Sequence, residues 1–226
     1  MASGPVTLAP QKTLEDPLDY LPCSTIQEFK RGEVIYSQDQ QSDSLYLVLS
    51  GAVKITRLAI HGREMLLDLY VTDEFFGESS LTGSYNHCEQ ALSHQTTMLM
   101  AWPTAVIEEL IVKRPRLAVA LLQAFGQRSQ AFTQRIESLF FDPIDRRLAR
   151  SLLRFSERLG TPQPDGSLVM EPLTHELLAQ YVGTSREVVT CHMMKFRRLG
   201  YLTYSRKSII LYREILTSWL NQRPTA

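Results

Sequence analysis

The sequence predicts an α+β fold in which an N-terminal antiparallel barrel or jelly roll is followed by a long helix and a C-terminal winged helix-turn-helix. Three observations lead to this prediction. Short apolar runs separated by turn residues recur at intervals of about 8 to 12 residues as far as Trp102. The spacing of apolar residues becomes helical from Pro103 onward. Near the C-terminus, two short amphipathic segments flank Gly183 and are followed by a β-rich hairpin.

Length and composition set the outer limits. With 226 residues, of which 44% are apolar and 21% charged, the chain is long enough for one large or two ordinary domains with buried cores. No apolar run reaches the roughly 18 residues of a membrane span, and the first 21 residues lack a signal-peptide pattern. We therefore expect a soluble, cytoplasmic protein without a membrane partner. Cys23, Cys88 and Cys191 are far apart, which predicts reduced thiols and neither a disulfide framework nor a metal cluster.

The N-terminal half divides into an arm and a series of strands. Residues 1–20 contain scattered Pro, Ser and Thr and are expected to form a flexible arm. Residues 21–113 form the predicted β-domain, because β-branched and aromatic runs alternate there with Gly, Asn, Asp and Ser turns. The strand-like runs are Ile26 to Phe29, Val34 to Tyr36, Leu45 to Leu49, Val53 to Arg57, Met65 to Tyr70, Phe75 to Phe76, Ala91 to Ser93 and Met98 to Trp102.

A long helix is predicted over residues 114–141. Pro115 suits its first turn, where the missing N–H has no partner to lose. Large apolar residues recur along it every seven positions, with others on the adjacent flank. A helix packed only on its own β-domain would give the same pattern, but a helix-turn-helix usually reads two half-sites, so we favour a seam between two copies. The predicted seam consists of Leu122, Phe125, Phe132, Ile136 and Leu139.

The C-terminal domain is predicted to begin at Asp142 and to continue to residue 226. Asp142-Pro143 has the pattern of a cap and first position of a helix that runs to Leu159. A Pro- and Gly-rich loop over residues 160–166 then precedes a short strand from Ser167 to Met170.

The stretch from Leu173 to Leu199 predicts the helix-turn-helix itself. Thr174 is placed to cap the first helix, and Gly183 can adopt the positive φ that a tight turn between two helices needs. Thr184 and Glu187 have the spacing of a capping box for the second helix, whose exposed N-terminal end would meet base edges of DNA. The candidate DNA-contacting residues of this segment are Thr174, Thr184, Ser185, Arg186, Glu187, Thr190, Cys191 and Lys195.

Basic residues concentrate in the same domain. The hairpin after the second helix carries Arg206 and Lys207 at its tip, like the wing of a winged helix. Residues 143–226 contain thirteen Lys and Arg against seven Asp and Glu, a net charge of +6, whereas residues 1–142 carry a net charge of −6. A neutral chain thus contains a basic domain, which is typical of DNA binding.

Two other classes of function compete with DNA binding. A winged helix used for protein contacts would give the same pattern, and the chain would then be a nucleotide- or metabolite-sensing adaptor. Retention on DNA that falls steeply with salt separates the two, because an adaptor makes no phosphate contacts. An enzyme is disfavoured, because the sequence has no nucleophile with its base, no Gly-rich phosphate loop and no metal-spaced His pair.

The order of elements and several motifs resemble the superfamily of the cyclic-AMP receptor protein and the fumarate-nitrate regulator (CRP/FNR). The resemblance covers residues 24–214. Its carriers are Gly32, the LYLVLSG run ending at Gly51, the FFGE of Phe75 to Glu78, and VGTSREVVT from Val182 to Thr190. The SSLTG of Ser79 to Gly83 also looks like the cyanobacterial nitrogen-control branch. The resemblance implies a bacterial homodimeric transcription factor with a cyclic-nucleotide-binding-like domain, a pseudo-palindromic DNA operator and RNA polymerase as a partner.

The resemblance also implies how the second helix reads DNA. In the family the Ser-Arg-Glu stretch reads a TGTGA-like half-site, so Ser185 would contact a phosphate, Arg186 a guanine and Glu187 a cytosine. One turn later the family has a second base-reading Arg, whereas this chain has Cys191. The inner G·C preference should therefore be relaxed.

A ligand pocket inside the β-domain is a further implication, and here the sequence departs from the cyclic-nucleotide-binding members. Those members have Gly-Glu followed about ten residues later by Arg-Ser, and the Arg neutralises the cyclic phosphate. Gly77-Glu78 matches the first half, but Cys88-Glu89-Gln90-Ala91 supplies no cation. Because a buried anion facing a carboxylate is strongly disfavoured, the sequence argues against cyclic AMP. The candidate pocket residues are Gly77, Glu78, Ser79, Glu89, Gln90, Arg128 and Thr133.

Other effectors have weaker support, and the effector is left unknown. Haem would need a His or Cys ligand, and none of the available side chains stands at a position that supports one. A 2-oxoglutarate-like dicarboxylate would use Arg128, where the nitrogen-control branch has Arg, but its companion Arg is missing. Cys191 could be a thiol switch or simply a small contact residue. The available haem ligands are His61, His87, Cys88 and His94.

Overall fold

The structure is a computed structural model that describes residues 14–41, 43–58, 64–82 and 87–222. It confirms the predicted α+β fold. The N-terminal strands are β1 (Thr25–Phe29), β2 (Val34–Tyr36), β3 (Ser44–Ser50), β4 (Ala52–Leu58), β5 (Glu64–Val71), β6 (Phe75–Phe76), β7 (Gln90–Ser93) and β8 (Thr97–Pro103). The C-terminal strands are β9 (Thr161–Pro162), β10 (Leu168–Met170), β11 (Leu202–Tyr204) and β12 (Ile209–Leu211). The helices are α1 (Thr104–Lys113), α2 (Arg116–Phe141), α3 (Ile144–Leu159), α4 (His175–Val182), α5 (Arg186–Arg198) and α6 (Arg213–Asn221).

The N-terminal strands form two antiparallel sheets, with strand orders β1-β8-β3-β6 and β2-β7-β4-β5. Because successive side chains of a strand point to opposite faces, β3 serves two cores. Val48 lies in the interior between the sheets, with Tyr36, Tyr70 and Phe76. Leu45 and Leu47 lie in a second cluster that also contains residues of α1 and α2. The sheets therefore enclose an aromatic interior, and one of them is covered by the helices.

The first helix, α1, is not a separate element in the sequence-based prediction. Arg114 is extended (φ −135°, ψ 77°) because the residue before a proline is pushed away from helical geometry, and Pro115 then directly precedes α2. The helical periodicity that begins near Pro103 is thus divided into two helices at the Arg114-Pro115 step.

The predicted flexible arm, residues 1–20, requires a correction at its C-terminal end. Residues 1–13 lie outside the described residues, but Glu15 is fixed on the long helix. Its carboxylate forms an ion pair with Arg116 (2.9 Å), and its backbone N–H donates to the Gln123 side chain (2.9 Å). A short 3-10 turn follows at Pro17–Asp19, capped by Asp16. The polar composition of this segment did not reveal these long-range contacts.

The link between α2 and α3 also differs from the prediction. Asp142 does not cap α3; Pro143 is extended (ψ 163°) and occupies the cap position. The carboxylate of Asp142 instead accepts hydrogen bonds from Ser138 (2.8 Å) and Arg150 (2.7 Å). Burial opposes ionisation, but these hydrogen bonds outweigh it and lower the pKa of Asp142. Asp142 thus ties the end of α2 to α3.

The C-terminal domain packs against the outer side of β5. Leu66, Leu69 and Val71 share one apolar cluster with residues of α3, α4 and α5. At the edge of this contact lies Asp68, which is only 2% exposed. Its carboxylate contacts Arg154 (3.1 Å) and Arg158 (2.9 Å), both on α3. The two parts of the chain are therefore joined by apolar packing and a buried ion cluster.

We predict that Asp68→Asn will lower the free energy of unfolding by roughly 1.5 to 3 kcal/mol, because the two guanidinium groups lose a charged acceptor in a buried contact. Denaturant titration followed by tryptophan fluorescence will measure this change. Two single-tryptophan variants, made by replacing the other tryptophan with Phe, report separately on Trp102 of the β-domain and Trp219 of the C-terminal domain. We expect the two transitions to separate in the variant.

The matched control is Glu109→Gln, which removes an exposed ion pair with Lys113 within α1. It should leave both transitions unchanged, because exposed pairs contribute little. If the two domains of Asp68→Asn unfold together and at the same denaturant concentration as in the unchanged protein, the buried ion cluster does not join the domains as we propose.

Candidate DNA-binding interface and sensor pocket

The helix-turn-helix is formed by α4, the turn at Gly183 and α5. Thr174 caps α4 as predicted, since its hydroxyl accepts from the Leu177 N–H (3.1 Å). Gly183 has φ 75°, a left-handed conformation that a side chain would strain, and its N–H closes α4 on Ala179. The turn geometry therefore depends on this glycine, as predicted.

The predicted capping box at Thr184 is wrong by one residue. The cap of α5 is Ser185, whose hydroxyl accepts from the Val188 N–H (3.4 Å). Thr184 cannot start the helix because its own N–H is still bonded to the Ala179 carbonyl at the end of α4 (3.1 Å). Glu187 remains in the first turn, where hydrogen bonds from its own backbone N–H and from Ser185 lower its pKa.

The N-terminal end of α5 is free on the surface. Arg186, Glu187 and Cys191 are exposed, whereas Val189 and the apolar residues that follow it on the same face are buried. Arginine and carboxylate side chains at the exposed end of a helix can pair with base edges. The geometry therefore leaves the candidate base-reading residues accessible.

Thr190, another candidate, already has partners within the domain. Its hydroxyl donates to the Arg186 carbonyl (2.8 Å) and is bonded to Nδ1 of His175 (2.8 Å). The His175 ring also meets Tyr204 of β11 edge-on, with ring centroids 5.6 Å apart. Burial and the nearby Arg186 charge lower the pKa of His175. His175 of α4 thus links that helix to α5 and to the wing. The sequence did not predict this role, because the contacts join residues that are far apart in the chain.

Basic side chains lie in the last turn of α5 and on the wing beside it. Lys195 lies 3.3 Å from Asp145 of α3, so this predicted phosphate contact is partly neutralised within the chain. Arg206 and Lys207 are exposed at the tip between β11 and β12, where the Ser205 hydroxyl accepts from the Lys207 N–H (3.1 Å). The wing therefore presents its cations on an ordered turn.

In the β-domain, Gly77 and Glu78 begin a short 3-10 turn that ends at Leu81. Gly77 has φ 84°, and a Cβ there would come within 2.9 Å of the Ser44 carbonyl and the Tyr46 ring. Only glycine fits this close approach. The geometry places the Glu78 carboxylate at the start of the turn.

Arg128 of α2 reaches into the β-domain and meets Glu78. Its Nη1 lies 3.0 Å from Oε2 of Glu78, and its guanidinium donates to the Phe75 carbonyl. The guanidinium carbon also lies 4.4 Å from the centre of the Tyr70 ring. The sequence named Arg128 and Glu78 as separate pocket candidates, and the structure brings them into direct contact.

The second carboxylate, Glu89, is half-buried and close enough to Glu78 to be affected by its charge. Burial and the charge of Glu78 raise its pKa. Gln90 donates to Thr56 of β4 (3.0 Å) and so contributes to strand pairing. The Ser79 hydroxyl is bonded to Nδ1 of His87 (2.8 Å). The candidate pocket residues therefore include two carboxylates, Glu78 and Glu89, and Glu78 is already paired with Arg128.

The expectation that Thr133 faces the pocket needs correction. Thr133 is exposed, and its hydroxyl donates to the Ser129 carbonyl of its own helix (3.1 Å). Thr133 comes five residues after Arg128. In a helix with 3.6 residues per turn, their side chains therefore point in directions about 140° apart around the helix axis. The two side chains therefore cannot both face the same β-domain.

The candidate haem ligands are scattered. His61 lies outside the described residues, whereas Cys88 is exposed. His87 stacks on Tyr36 with ring centroids 3.6 Å apart, and burial lowers its pKa. Burial also lowers the pKa of His94. In the described part of the chain, no group of three or more His, Cys, Asp or Glu side chains could hold a metal ion.

The residues of the predicted seam differ in their surroundings. Leu122 and Ile136 are strongly exposed, at 73% and 54%. Phe125, in contrast, packs partly against the apolar cluster between α2 and its own β-domain. Phe140 and Phe141, which the prediction omitted, are 80% and 84% exposed. The apolar surface of α2 is therefore centred on Leu122 and Ile136 and extends to the end of the helix.

Comparison with known proteins identifies the two halves. A family model described as "Cyclic nucleotide-binding domain" matches residues 26–114, and one described as "Crp-like helix-turn-helix domain" matches residues 146–219. The chain belongs to the CRP/FNR family of transcription regulators. Like its relatives, this CRP/FNR protein combines a sensor domain of the cyclic-nucleotide-binding type with a helix-turn-helix DNA-binding domain, and it is a regulator and not an enzyme.

Individual relatives support this assignment. A "CRP-like cAMP-activated global transcriptional regulator" of Mycobacterium tuberculosis is 29% identical over 184 residues, which cover 81% of this chain and 82% of the relative. A "Global nitrogen regulator" of Synechococcus elongatus is 28% identical over 195 residues, or 85% and 88% of the two chains. The structure of a CRP/FNR-family transcriptional regulator from Thermus thermophilus matches with a TM-score of 0.71 and 29% identity, covering 88% and 100% of the two chains. None of the described helices has the length and apolar character needed to cross a bilayer.

We predict that millimolar cyclic AMP will not raise the melting temperature of this CRP/FNR protein. Stabilisation by a ligand grows with its concentration relative to Kd, and here the phosphate would lie near Glu78 and Glu89, while the Arg128 guanidinium is already paired with Glu78. Thermal unfolding with and without the nucleotide measures the effect, with Glu89→Arg as the comparison variant that removes one carboxylate and adds a cation. A saturable rise for the unchanged protein would contradict the assignment of Glu89 to this region.

Proposed function

We propose that this protein is a homodimeric, sequence-specific transcription regulator whose operator affinity is controlled by the N-terminal sensor, with an effector other than cyclic AMP. The observation that carries the proposal is the exposed N-terminal end of α5, which lies beside a basic wing in a domain of net charge +6. We divide the chain into an arm (1–20), a sensor (21–113), a long dimerisation helix (114–141) and a DNA-binding domain (142–226). RNA polymerase is the protein partner that family membership suggests.

Base reading is assigned to three exposed residues of α5. Arg186 suits the two acceptors of a guanine, and Glu187 suits the amino group of a cytosine. Cys191 cannot make a two-point contact, so the inner G·C pair of the half-site should be read weakly. Ser185 caps the helix and can still offer its hydroxyl to a phosphate. The operator should be a pseudo-palindrome with half-site centres about 34 Å apart.

Dimerisation is assigned to the exposed apolar face of α2. Leu122, Ile136 and Phe140 are separated by fourteen and four residues, so they fall on one face of a helix with 3.6 residues per turn. Gly126, Ser129 and Thr133 lie between them on the same face and are small enough to let a second helix approach. Phe125, Phe132 and Leu139 follow one another every seven residues along the flank of this face, and Phe125 packs on the sensor. We therefore place the two-fold axis beside Leu122 and Ile136.

Arg186→Ala should cost roughly 1 to 3 kcal/mol on the best operator and remove the preference at one base pair, because a two-point contact to guanine is lost. Lys207→Ala should weaken binding to all sequences about equally, because a phosphate contact carries no sequence information. Selection of binding sites from random DNA with each protein measures both effects. An unchanged motif with Arg186→Ala would refute the role of that residue, and the absence of any motif would favour the adaptor.

Ile136→Glu should convert dimers to monomers, because two like charges would be placed in a desolvated contact. Sedimentation of the full chain over a range of concentrations gives the oligomeric state. Gln127→Glu adds the same charge on the other side of α2 and should leave the dimer intact. A stable dimer with Ile136→Glu would exclude this face as the seam.

A further inference from the structure

We propose that Arg128 is a built-in ligand of the sensor: it joins the Glu78 turn to the long helix, so the protein binds its operator without any small molecule. The inference rests on the proposed function, and it assigns the regulation of the same sensor site. It also assigns the chemical class that the site accepts, which is a guanidinium-like cation and not an anion.

The geometry around Arg128 is that of an occupied binding site. The guanidinium forms an ion pair with Glu78 (3.0 Å), donates to the Phe75 carbonyl and lies over the Tyr70 ring at 4.4 Å. Its side chain is only 14% exposed. A carboxylate, a carbonyl and an aromatic face are the groups that together recognise a guanidinium. Each of them belongs to the β-domain, whereas the cation belongs to α2.

The position of Arg128 along α2 connects this site to the DNA-binding domain. Arg135 lies seven residues further on the same face and donates to the carbonyls of Leu66 and Leu67 in β5 and of Tyr181 in α4. Its guanidinium carbon lies 3.9 Å from the centre of the Tyr181 ring. One face of α2 is thus held to the sensor by two arginines, and the second of them also holds the first helix of the helix-turn-helix.

The charges explain why an anion does not take this place. Glu78 and Glu89 are both in this region, and their mutual repulsion contributes to the raised pKa of Glu89. Without Arg128, Glu78 would lose its paired cation, and its charge would act on Glu89 without that neutralisation. An anionic effector would add to this repulsion, whereas a second guanidinium would compete with Arg128 for Glu78. Such a competitor would loosen α2 and lower operator affinity.

The test compares operator affinity in three full-length proteins by fluorescence anisotropy, after native mass spectrometry has shown that no small molecule is bound. The unchanged protein should bind its selected operator without an added ligand. Arg128→Ala should weaken operator binding by about 5- to 150-fold, the usual range of coupling between two sites. Millimolar methylguanidinium should restore part of the loss in Arg128→Ala. Arg116→Ala, which removes an exposed ion pair on the same helix, should bind like the unchanged protein.

Glu78→Gln is a further variant, because it preserves shape, and it should show a similar loss. Retention on heparin should stay the same in all variants, since the wing is intact. Operator affinity that is unchanged in both Arg128→Ala and Glu78→Gln overturns the inference and leaves the proposed function standing. The inference is also overturned if the unchanged protein binds only after a small molecule is returned to it. If the unchanged protein binds DNA with no sequence preference at all, the proposed function is overturned instead.

Discussion

The arrangement of this protein depends on how α2 accommodates two arginines on its inward face. A buried guanidinium without partners costs several kcal/mol. Arg128 and Arg135 therefore require acceptor groups close to α2. Arg128 forms an ion pair with Glu78, and Arg135 donates to carbonyl groups of β5 and α4 and lies over the Tyr181 ring. Burial lowers the pKa of Arg135, and the charge of nearby Asp68 only partly offsets this effect. The sensor and the helix-turn-helix are therefore both positioned by the same helix face.

Strand β5 completes this connection from the other side. Its apolar residues join the core of the DNA-binding domain, and Asp68 accepts from Arg154 and Arg158 of α3. Arg158 also pairs with Glu74, just after β5, at 2.5 Å. Burial opposes the charge of Arg158, but the two carboxylates outweigh it and raise its pKa. Because each cation has partners on the sensor, a shift of α2 or β5 must change the position of α3 and α4 as well.

Local sequence patterns were sufficient for most elements of the fold. Alternating apolar residues predicted β1 to β8 within a few residues, and Gly183 and Thr174 located the helix-turn-helix because turn and cap chemistry is local. The cap of α5 was misplaced by one residue because Thr184 and Ser185 both have capping side chains, and only the bond of the Thr184 N–H to α4 decides between them. Likewise, the Arg114-Pro115 step predicted only the start of α2 and not the end of a preceding helix.

Long-range contacts could not be predicted in the same way. The pairing of Arg128 with Glu78 spans fifty residues, and the docking of Asp68 on α3 joins two domains, so neither leaves a periodic pattern. The outward orientation of Thr133 follows from helix geometry only once Arg128 is known to face inward. For the same reason the centre of the exposed α2 face, at Leu122 and Ile136, became clear only when Phe125 was seen to pack on the sensor.

We propose that the exposed α5 reads DNA by sequence and that the domain carrying it is held against the sensor. The most direct test is the affinity of the full-length protein for its selected operator and for a scrambled duplex across a series of salt concentrations. We expect log K to fall linearly with log salt on both duplexes, and the operator to be bound at least about a thousandfold more tightly than the scrambled duplex at physiological salt. Equal affinity for the two duplexes, or binding that does not respond to salt, would contradict this proposal.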